Sequence, residues 1–466
     1  MTLDILLCHS YFLDQDPIEK RVMKPYPPLG LLYLSSYLKA EGFAVGLHDT
    51  TFSTYQSVAD DIQRHSPFAV GIYTNLMTRR HVLAIMEMAK AQGCHVILGG
   101  PEAANYAQEY LDHGADVIVA GEGEQTLAEL IPHLKKNGLK DLGKINGLIF
   151  RAADGAIERT APRLLHRQID DYPFPDRAAI DLNHYMDIWQ THHGVRSVSL
   201  ITARGCPYAC QWCSHSVFGK SYRHRTPENV IAELLGIRDV YQPDQVWYAD
   251  DVFTMNFRWL DRFADLLEEN NLHYPFEAIS REDRLTEDVI KTLKRMGCYR
   301  VWIGAESGSQ RILDAMERRT NAKRMREMIT LLQNHGIRAG TFIMVGYEGE
   351  TFDDIAATVQ HLKAALPDDV LSTLSYPIKG TPYHDQVADR LVMQGDWATT
   401  TERDAKIKGR HSRLYYNSIE AWIQAEVQLT RVRKTGVAGL AKLPKLVLQT
   451  YRHRLNIWRR RHEVEA

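Results

Sequence analysis

The chain has 466 residues, 44% hydrophobic and 24% charged, proportions that exclude a disordered chain and a membrane bundle. Lys and Arg total 56 against 58 Asp and Glu, a net charge of −2, so there is no chain-wide attraction to nucleic acid or another polyanion. Six cysteines are too few for a secreted disulfide scaffold; they point to a reducing compartment in which clustered cysteines act as ligands.

At about 150 residues per domain the chain has room for about three domains. It opens Met1-Thr-Leu-Asp4-Ile-Leu-Leu-Cys8, with no basic start and with Asp4 inside its only apolar patch, which reads as a first strand and not as a signal peptide. No stretch reaches the roughly 18 uninterrupted apolar residues of a membrane span, so the expected location is cytoplasmic.

Over residues 1–140 the apolar runs Ile5 to Cys8, Ala44 to Leu47, Ala69 to Tyr73, His95 to Leu98 and Val117 to Ala120 alternate with helix-length amphipathic stretches. The spacing leaves room for crossover helices and predicts a doubly wound α/β domain with a parallel sheet. Ligands of such sheets sit at the strand carboxyl ends. There the chain carries Pro27-Pro28-Leu29-Gly30, Thr74-Asn75-Leu76-Met77, Gly99-Gly100-Pro101-Glu102 and Gly121-Glu122-Gly123-Glu124. Glycines in such places let a backbone approach a bulky ligand. No G-x-G-x-x-G follows the first strand, which leaves a dinucleotide site little support.

Residues 141–195 are interrupted by Gly143, Asn146-Gly147, Asp154-Gly155, Pro162, Pro173 and Pro175 and read as a small hairpin followed by a linker. A second alternating series fills 196–390. Its strands are expected from Ser197 and over Gln245 to Ala249, Pro275 to Ile279, Arg300 to Ile303, Arg338 to Met344 and Val370 to Ser375. Helical patterns such as Pro227 to Tyr241, Arg258 to Asn270 and Ala322 to His335 lie between them. Six βα units predict a partial (β/α)6 barrel of TIM type, its site again at the strand carboxyl ends.

Residues 391–466 read as a helical, basic C-terminal region. From Arg431 to Arg461 there are ten Lys or Arg and no Asp or Glu, while Leu440, Leu443, Leu446, Val447, Tyr451, Leu455 and Trp458 recur at near-helical spacing. Two readings stay open: a basic amphipathic helix lying peripherally on an anionic membrane surface, or a helix packing its apolar face on the barrel.

The densest signal is Thr202-Ala-Arg-Gly-Cys206-Pro-Tyr-Ala-Cys210-Gln-Trp212-Cys213, a C-x3-C-x2-C triple directly after the first strand of the second series. Zinc is the rival reading, but a closed zinc site wants four ligands, and only His215 stands near enough to be the fourth. Three thiolates on a loop suit a 4Fe-4S cluster whose fourth iron is open to a substrate. Cys8, Cys94 and Cys298 lie in or beside apolar runs and read as core residues.

This motif, with Trp212 just before its third cysteine, resembles the radical S-adenosylmethionine (SAM) superfamily. The resemblance implies that Cys206, Cys210 and Cys213 hold a 4Fe-4S cluster and that SAM chelates the open iron and is cleaved to a 5′-deoxyadenosyl radical. An external one-electron reductant of flavodoxin or ferredoxin type is implied with it. By the same resemblance, Asp250 or Asp251 orients the SAM amino group at the end of Tyr248-Ala-Asp-Asp-Val-Phe253. Arg281, after Ser280 in Ala278-Ile-Ser-Arg281, offers a fork to the SAM carboxylate. Gly304-Ala-Glu306-Ser307-Gly308 is similar to the family's ribose-side segment, with Glu306 as the hydroxyl contact. Phe342-Ile-Met-Val-Gly346 is similar to the adenine-side strand, although Glu348 stands where relatives often have Pro.

A doubly wound domain ahead of such a core resembles the cobalamin-binding class of the superfamily, over roughly residues 1 to 385. The implied contacts are Leu29, Gly30, Thr74, Asn75, Leu76, Gly99, Gly100, Pro101, Gly121 and Glu122. The D-x-H-x-x-G signature is absent, which in this class implies cobalt without a histidine beneath it. The function implied is that of a cobalamin-dependent radical SAM methyltransferase acting on an unactivated carbon of an apolar, tetrapyrrole-like or lipid-like small molecule. Two alternatives remain: a radical cyclase resembling the anaerobic magnesium-protoporphyrin ester cyclase, and a non-catalytic iron-sulfur or cobalamin sensor.

Overall fold

The structure is a computed structural model and describes residues 2–434 and 441–466. It divides into two compact units. The first comprises Met1–Pro207, Ser214–Trp247 and Asp396–Thr401, and the second Tyr208–Cys213, Tyr248–Gly395 and Glu402–Ala466.

The first unit carries a seven-stranded sheet. Its strands are β1 (Ile5–Cys8), β2 (Val45–His48), β3 (Ala69–Tyr73), β4 (His95–Gly99), β5 (Val117–Val119), β6 (Leu148–Arg151) and β7 (Ile157–Arg159), in the order β2-β1-β3-β4-β5-β6-β7. β1 to β5 run parallel. All four residues of β1 are buried, because helices cover both faces and a strand between them has no polar side. Alternation then divides each strand. Leu6, Val70, Ile72, Val96 and Leu98 belong to one core, and Ile5, Leu7, Ala69 and Ile97 to another.

The predicted hairpin forms, but as part of this sheet and not as the opening of a linker: β6 pairs antiparallel with β5 through Val117↔Phe150 and Val119↔Leu148. The parallel pattern ends at β5, whose open edge would otherwise present unpaired backbone groups. Leu148, Ile149 and Phe150 are buried there. The expected linker also holds a helix, Leu182–His193, capped by the Asp181 side chain and ended by left-handed Gly194.

The second series has six strands: β8 (Ser197–Leu200) and, after the short antiparallel pair β9 (Ala203–Arg204) and β10 (Arg223–His224), β11 (Gln245–Tyr248), β12 (Phe276–Ser280), β13 (Cys298–Glu306), β14 (Arg338–Val345) and β15 (Asp369–Leu374). In the second unit β12 to β15 form parallel neighbours in chain order. The register between β13 and β14 slips between Gly304 and Glu306, a bulge that re-aims a side chain at the strand's carboxyl end.

The C-terminal region is not wholly helical: β16 (Leu391–Val392) and β17 (Lys406–Ile407) pair antiparallel before the long helix Arg413–Lys434. In the last helix, Leu443–Arg460, the apolar residues divide. Leu446 and Ile457 point inward, while Val447, Leu448, Tyr451 and Trp458 are 46%, 68%, 69% and 59% exposed. Leu440, expected in the same stripe, lies outside the described residues. Among the described residues no helix is long and apolar enough to cross a membrane.

Candidate active site

The cysteine loop leaves β9 through Gly205, whose φ is +83° and where a Cβ would stand 2.6 Å from the Ser221 carbonyl oxygen, so only glycine fits. Its thiols are graded in exposure: Cys206 half-buried, Cys210 buried, Cys213 exposed. The middle of the loop, Tyr208–Cys213, belongs to the second unit and is held within it. Gln211 N–H donates to the Met316 carbonyl at 3.2 Å and Gln211 O accepts from Tyr383 N–H at 2.9 Å. Trp212 packs on the apolar cluster of Ile312, Met316, Tyr347 and Tyr383; that packing anchors the aromatic preceding the third cysteine.

Cys210 sits among cations. Arg318 Nη1 approaches its sulfur at 3.7 Å and Arg281 Nη1 at 4.0 Å. Arg281 lies over the Tyr208 ring at 3.6 Å and donates through Nε to Asp283 Oδ1 at 2.9 Å. Arg318 Nη2 donates to the Gly304 carbonyl at 2.8 Å. A Cβ on Gly304 would fall 2.6 Å from Arg318 Nη2 and 2.7 Å from Glu306 Oε1, so the glycine keeps the space that guanidinium and carboxylate share. Burial raises the Glu306 carboxyl, and Arg318 and Arg281 pull it back. Glu306 itself is left-handed, φ 61°, an uncommon conformation that the β13 bulge imposes.

The structure thus brings together three expected residues, Cys210, Arg281 and Glu306, and adds Arg318. No local signal marks Arg318: it stands on an irregular loop 108 residues from Cys210 in the chain. Ser307 has a supporting place, its hydroxyl 3.2 Å from Thr358 Oγ1 and accepting from Ser309 N–H. Gly308 is required because a Cβ would stand 2.6 Å from Thr358 Cα. Ser280 pairs with Thr254 at 2.5 Å, and Phe253 N–H donates to the Ile279 carbonyl at 2.9 Å; these bonds fix the loop that holds Asp250 and Asp251. Of the two aspartates, Asp250 is buried and Asp251 exposed.

In the first unit the strand carboxyl ends form a glycine edge. Thr74 N–H and Oγ1–H donate to the Gly99 carbonyl at 2.7 and 3.0 Å, and Thr74 Oγ1 accepts from Ala103 N–H at 3.0 Å. Gly100, φ +104°, runs so close that a Cβ would lie 2.4 Å from Thr74 O, whereas a Cβ on Gly99 or Gly30 would meet nothing within 4 Å. Asn75 Oδ1 accepts from Met77 N–H at 2.8 Å and shapes the 74–77 loop; Leu76 is half-buried beside it. Leu29 and Gly30 open the helix Leu29–Ala40. Pro101 O accepts from Ser216 Oγ at 2.7 Å. A cavity of about 330 Å³ lies beside Gly121, lined also by Leu148, His166, Tyr172 and Val217. The Glu122 carboxylate is taken up by Arg204 at 2.8 Å and Arg223 at 2.9 Å, which leaves it a structural task.

The donor set fits the expected groups: three thiols on one loop, Cys210 beside two buried cations, for a cluster, and open-sided glycines at the sheet edge for a bulky ligand. Cys8, Cys94 and Cys298 are buried in cores, where burial pushes the Cys8 thiol up to about 12 and raises the other two as well. They are inert packing residues.

The family model described as B12 binding domain matches residues 20–131, and that of the radical SAM superfamily matches residues 200–362. The chain belongs to the radical SAM superfamily, in the class with a B12-binding domain ahead of the core. Its cofactors are accordingly a 4Fe-4S cluster, SAM and cobalamin. Among its relatives is an uncharacterised methyltransferase of Pyrococcus horikoshii, 29% identical over 85% of this chain and 86% of the relative. The anaerobic magnesium-protoporphyrin IX monomethyl ester cyclase of Synechocystis is 26% identical over 79% and 74%. The radical SAM methyltransferase TsrM of Kitasatospora setae, solved with cobalamin and a 4Fe-4S cluster, shares the fold at a TM-score of 0.70 and 18% identity, over 84% of this chain and 77% of that one.

Proposed function

We propose that this radical SAM enzyme methylates an unactivated carbon of an apolar small molecule of tetrapyrrole or lipid type. The observation that carries the reading is one chain holding both a three-cysteine loop, with Cys210 beside Arg281 and Arg318, and a glycine edge within a B12-binding domain. When bound, the cluster with SAM supplies a 5′-deoxyadenosyl radical, and cobalamin supplies the methyl group.

This chain's own residues bind and orient. Cys206, Cys210 and Cys213 would hold the cluster. Arg281 offers the SAM carboxylate its Nη1, which has no oxygen partner among the described residues, and buried Asp250 takes the amino group. Glu306, half-buried and with a raised carboxyl, meets a ribose hydroxyl. The 74–77 loop, Gly99-Gly100-Pro101, Gly121 and the start of the helix at Leu29 and Gly30 carry cobalamin; Glu122 contributes through its backbone. The electron comes from an external one-electron reductant of flavodoxin or ferredoxin type.

The cyclase reading is favoured by one observation, the similarity to the Synechocystis cyclase. Methyl-labelled SAM, incubated with the reconstituted enzyme and pigment or lipid extracts, separates the two. Label in a product supports methyl transfer. An unlabelled, oxidised product with 5′-deoxyadenosine supports the cyclase, and no 5′-deoxyadenosine at all supports a sensor.

Peripheral membrane contact is supported by the last helix. Val447, Leu448, Tyr451 and Trp458 form an exposed apolar stripe, flanked by Arg452, Arg454 and Arg459 with no acid in the helix. Such a face sits in an anionic bilayer interface, with Tyr and Trp at headgroup depth. The full-length protein should float with vesicles containing phosphatidylglycerol and not with pure phosphatidylcholine. The double variant Tyr451→Asp, Trp458→Asp should stay at the bottom of the gradient; equal behaviour of wild type and variant would remove the membrane reading.

A further inference from the structure

Arg318 is expensive to keep where it is. It is only 7% exposed, its Nε has no hydrogen-bond partner, and among the described residues no carboxylate comes within salt-bridge distance of it, although Glu306 and Glu282 feel its charge from farther off. Its two neighbours, Glu317 (φ 47°) and Arg319 (φ 53°), are both left-handed without being glycine. Buried cations are ordinarily paired, and strained backbone persists only where its surroundings impose it. Here the strain turns one side chain inward, and its two bonded nitrogens reach the Gly304 carbonyl and the Cys210 sulfur. Arg281 adds a second N–H toward the same sulfur.

We propose that Arg318, seconded by Arg281, is built to donate N–H···S hydrogen bonds to the Cys210 thiolate and thereby to raise the reduction potential of the cluster. The proposal rests on the reading that Cys210 is a cluster ligand. Reduction adds one negative charge to the cluster, and hydrogen bonds to its sulfurs, net charge and burial set the potential of such centres. Of the three cysteines only Cys210 is buried, so its sulfur is the one on which a cation acts with least screening by water. Arg318 is in this account a positioning residue: it acts through Cys210 and touches neither SAM nor substrate.

The test is a potentiometric titration of the SAM-free, reconstituted full chain followed by electron paramagnetic resonance, with Arg318→Met and Arg318→Lys beside wild type. Arg318→Met keeps the length of the side chain and removes charge and donors. Its midpoint should fall so that the equilibrium constant for reduction drops by about tenfold, about 59 mV for one electron, at unchanged iron and sulfide content. Arg318→Lys retains a cation but cannot serve both acceptors, and should fall by a smaller amount. A wild-type midpoint in a cluster-loaded Met variant overturns the proposal. If the Met variant does not load, an unshifted Lys variant overturns it instead. An unshifted midpoint with weakened SAM binding would assign Arg318 to the SAM carboxylate and equally overturn it. Failure of wild type itself to load a cluster would overturn the functional reading and this proposal with it, whereas an unshifted midpoint in a loaded variant strikes this proposal alone.

Discussion

The two strand-end edges of this protein treat charge in opposite ways. At the edge of the first sheet every buried ion near the glycines is paired: Glu102 with Arg79, Glu122 with Arg204 and Arg223, Glu124 with Arg204. At the edge of the second series, among the described residues, neither Arg318 nor Glu306 completes an ion pair, although burial raises the Glu306 carboxyl. Pairing within the protein marks charges that hold architecture. Unpaired buried charge marks a place that a charged ligand completes, since burying an ion alone is costly. On the proposed function, the first edge would serve a large ligand by leaving room, and the second a small charged centre by supplying field.

The largest expected effect is at the second edge. Cys206→Ala, Cys210→Ala or Cys213→Ala should each eliminate the cluster, read as loss of bound iron, while cobalamin binding persists. Next comes Glu122→Ala, which leaves Arg223 buried without its carboxylate and Arg204 with Glu124 alone, and should cost about 3–5 kcal/mol in denaturant unfolding. Glu306→Gln, which breaks no pair, should change stability by less than about 1 kcal/mol; a loss equal to that of Glu122→Ala would erase the contrast. Gly100→Ala meets the Thr74 carbonyl and an unfavourable φ, costing about 1–3 kcal/mol. It should lower cobalamin content and leave iron content unchanged.

A further effect is a pH slope. Burial lifts the Glu350 carboxyl from its ordinary 4.5 to about 8, against a hydrogen bond from Gly346 N–H. A carboxyl with a raised folded pKa contributes stability that is complete below 4.5 and is lost as pH rises through 8. Glu350→Gln should flatten thermal stability over that range; an unchanged slope would show that Glu350 is ionised in the folded protein.

Much of the fold was legible in the sequence because strands buried on both faces read as continuous apolar runs: Ile5–Cys8 and Ala69–Tyr73 form with the expected ends, as does the helix Pro227–Tyr241. The hairpin 148–159 was visible but its attachment was not, since which strand edge it covers is decided by tertiary pairing. In the site, the three cysteines and the Gly304-Ala-Glu306-Ser307-Gly308 segment announce themselves by spacing. Arg318 does not, because two left-handed residues around it, and no local motif, aim it at Cys210. For Glu122 the sequence does not tell that two arginines distant in the chain take up its carboxylate. The last helix shows the same limit, since periodicity alone does not tell that Leu446 faces inward and Leu448 outward.

Cys206, Cys210 and Cys213 are proposed to hold a cluster that cleaves SAM. The most direct measurement is chromatographic detection of 5′-deoxyadenosine from SAM and a strong one-electron reductant, with the anaerobically reconstituted full chain and its Cys210→Ala variant. Wild type should yield the nucleoside and the variant none. No nucleoside from a cluster-loaded wild type, or as much from the variant, would contradict it.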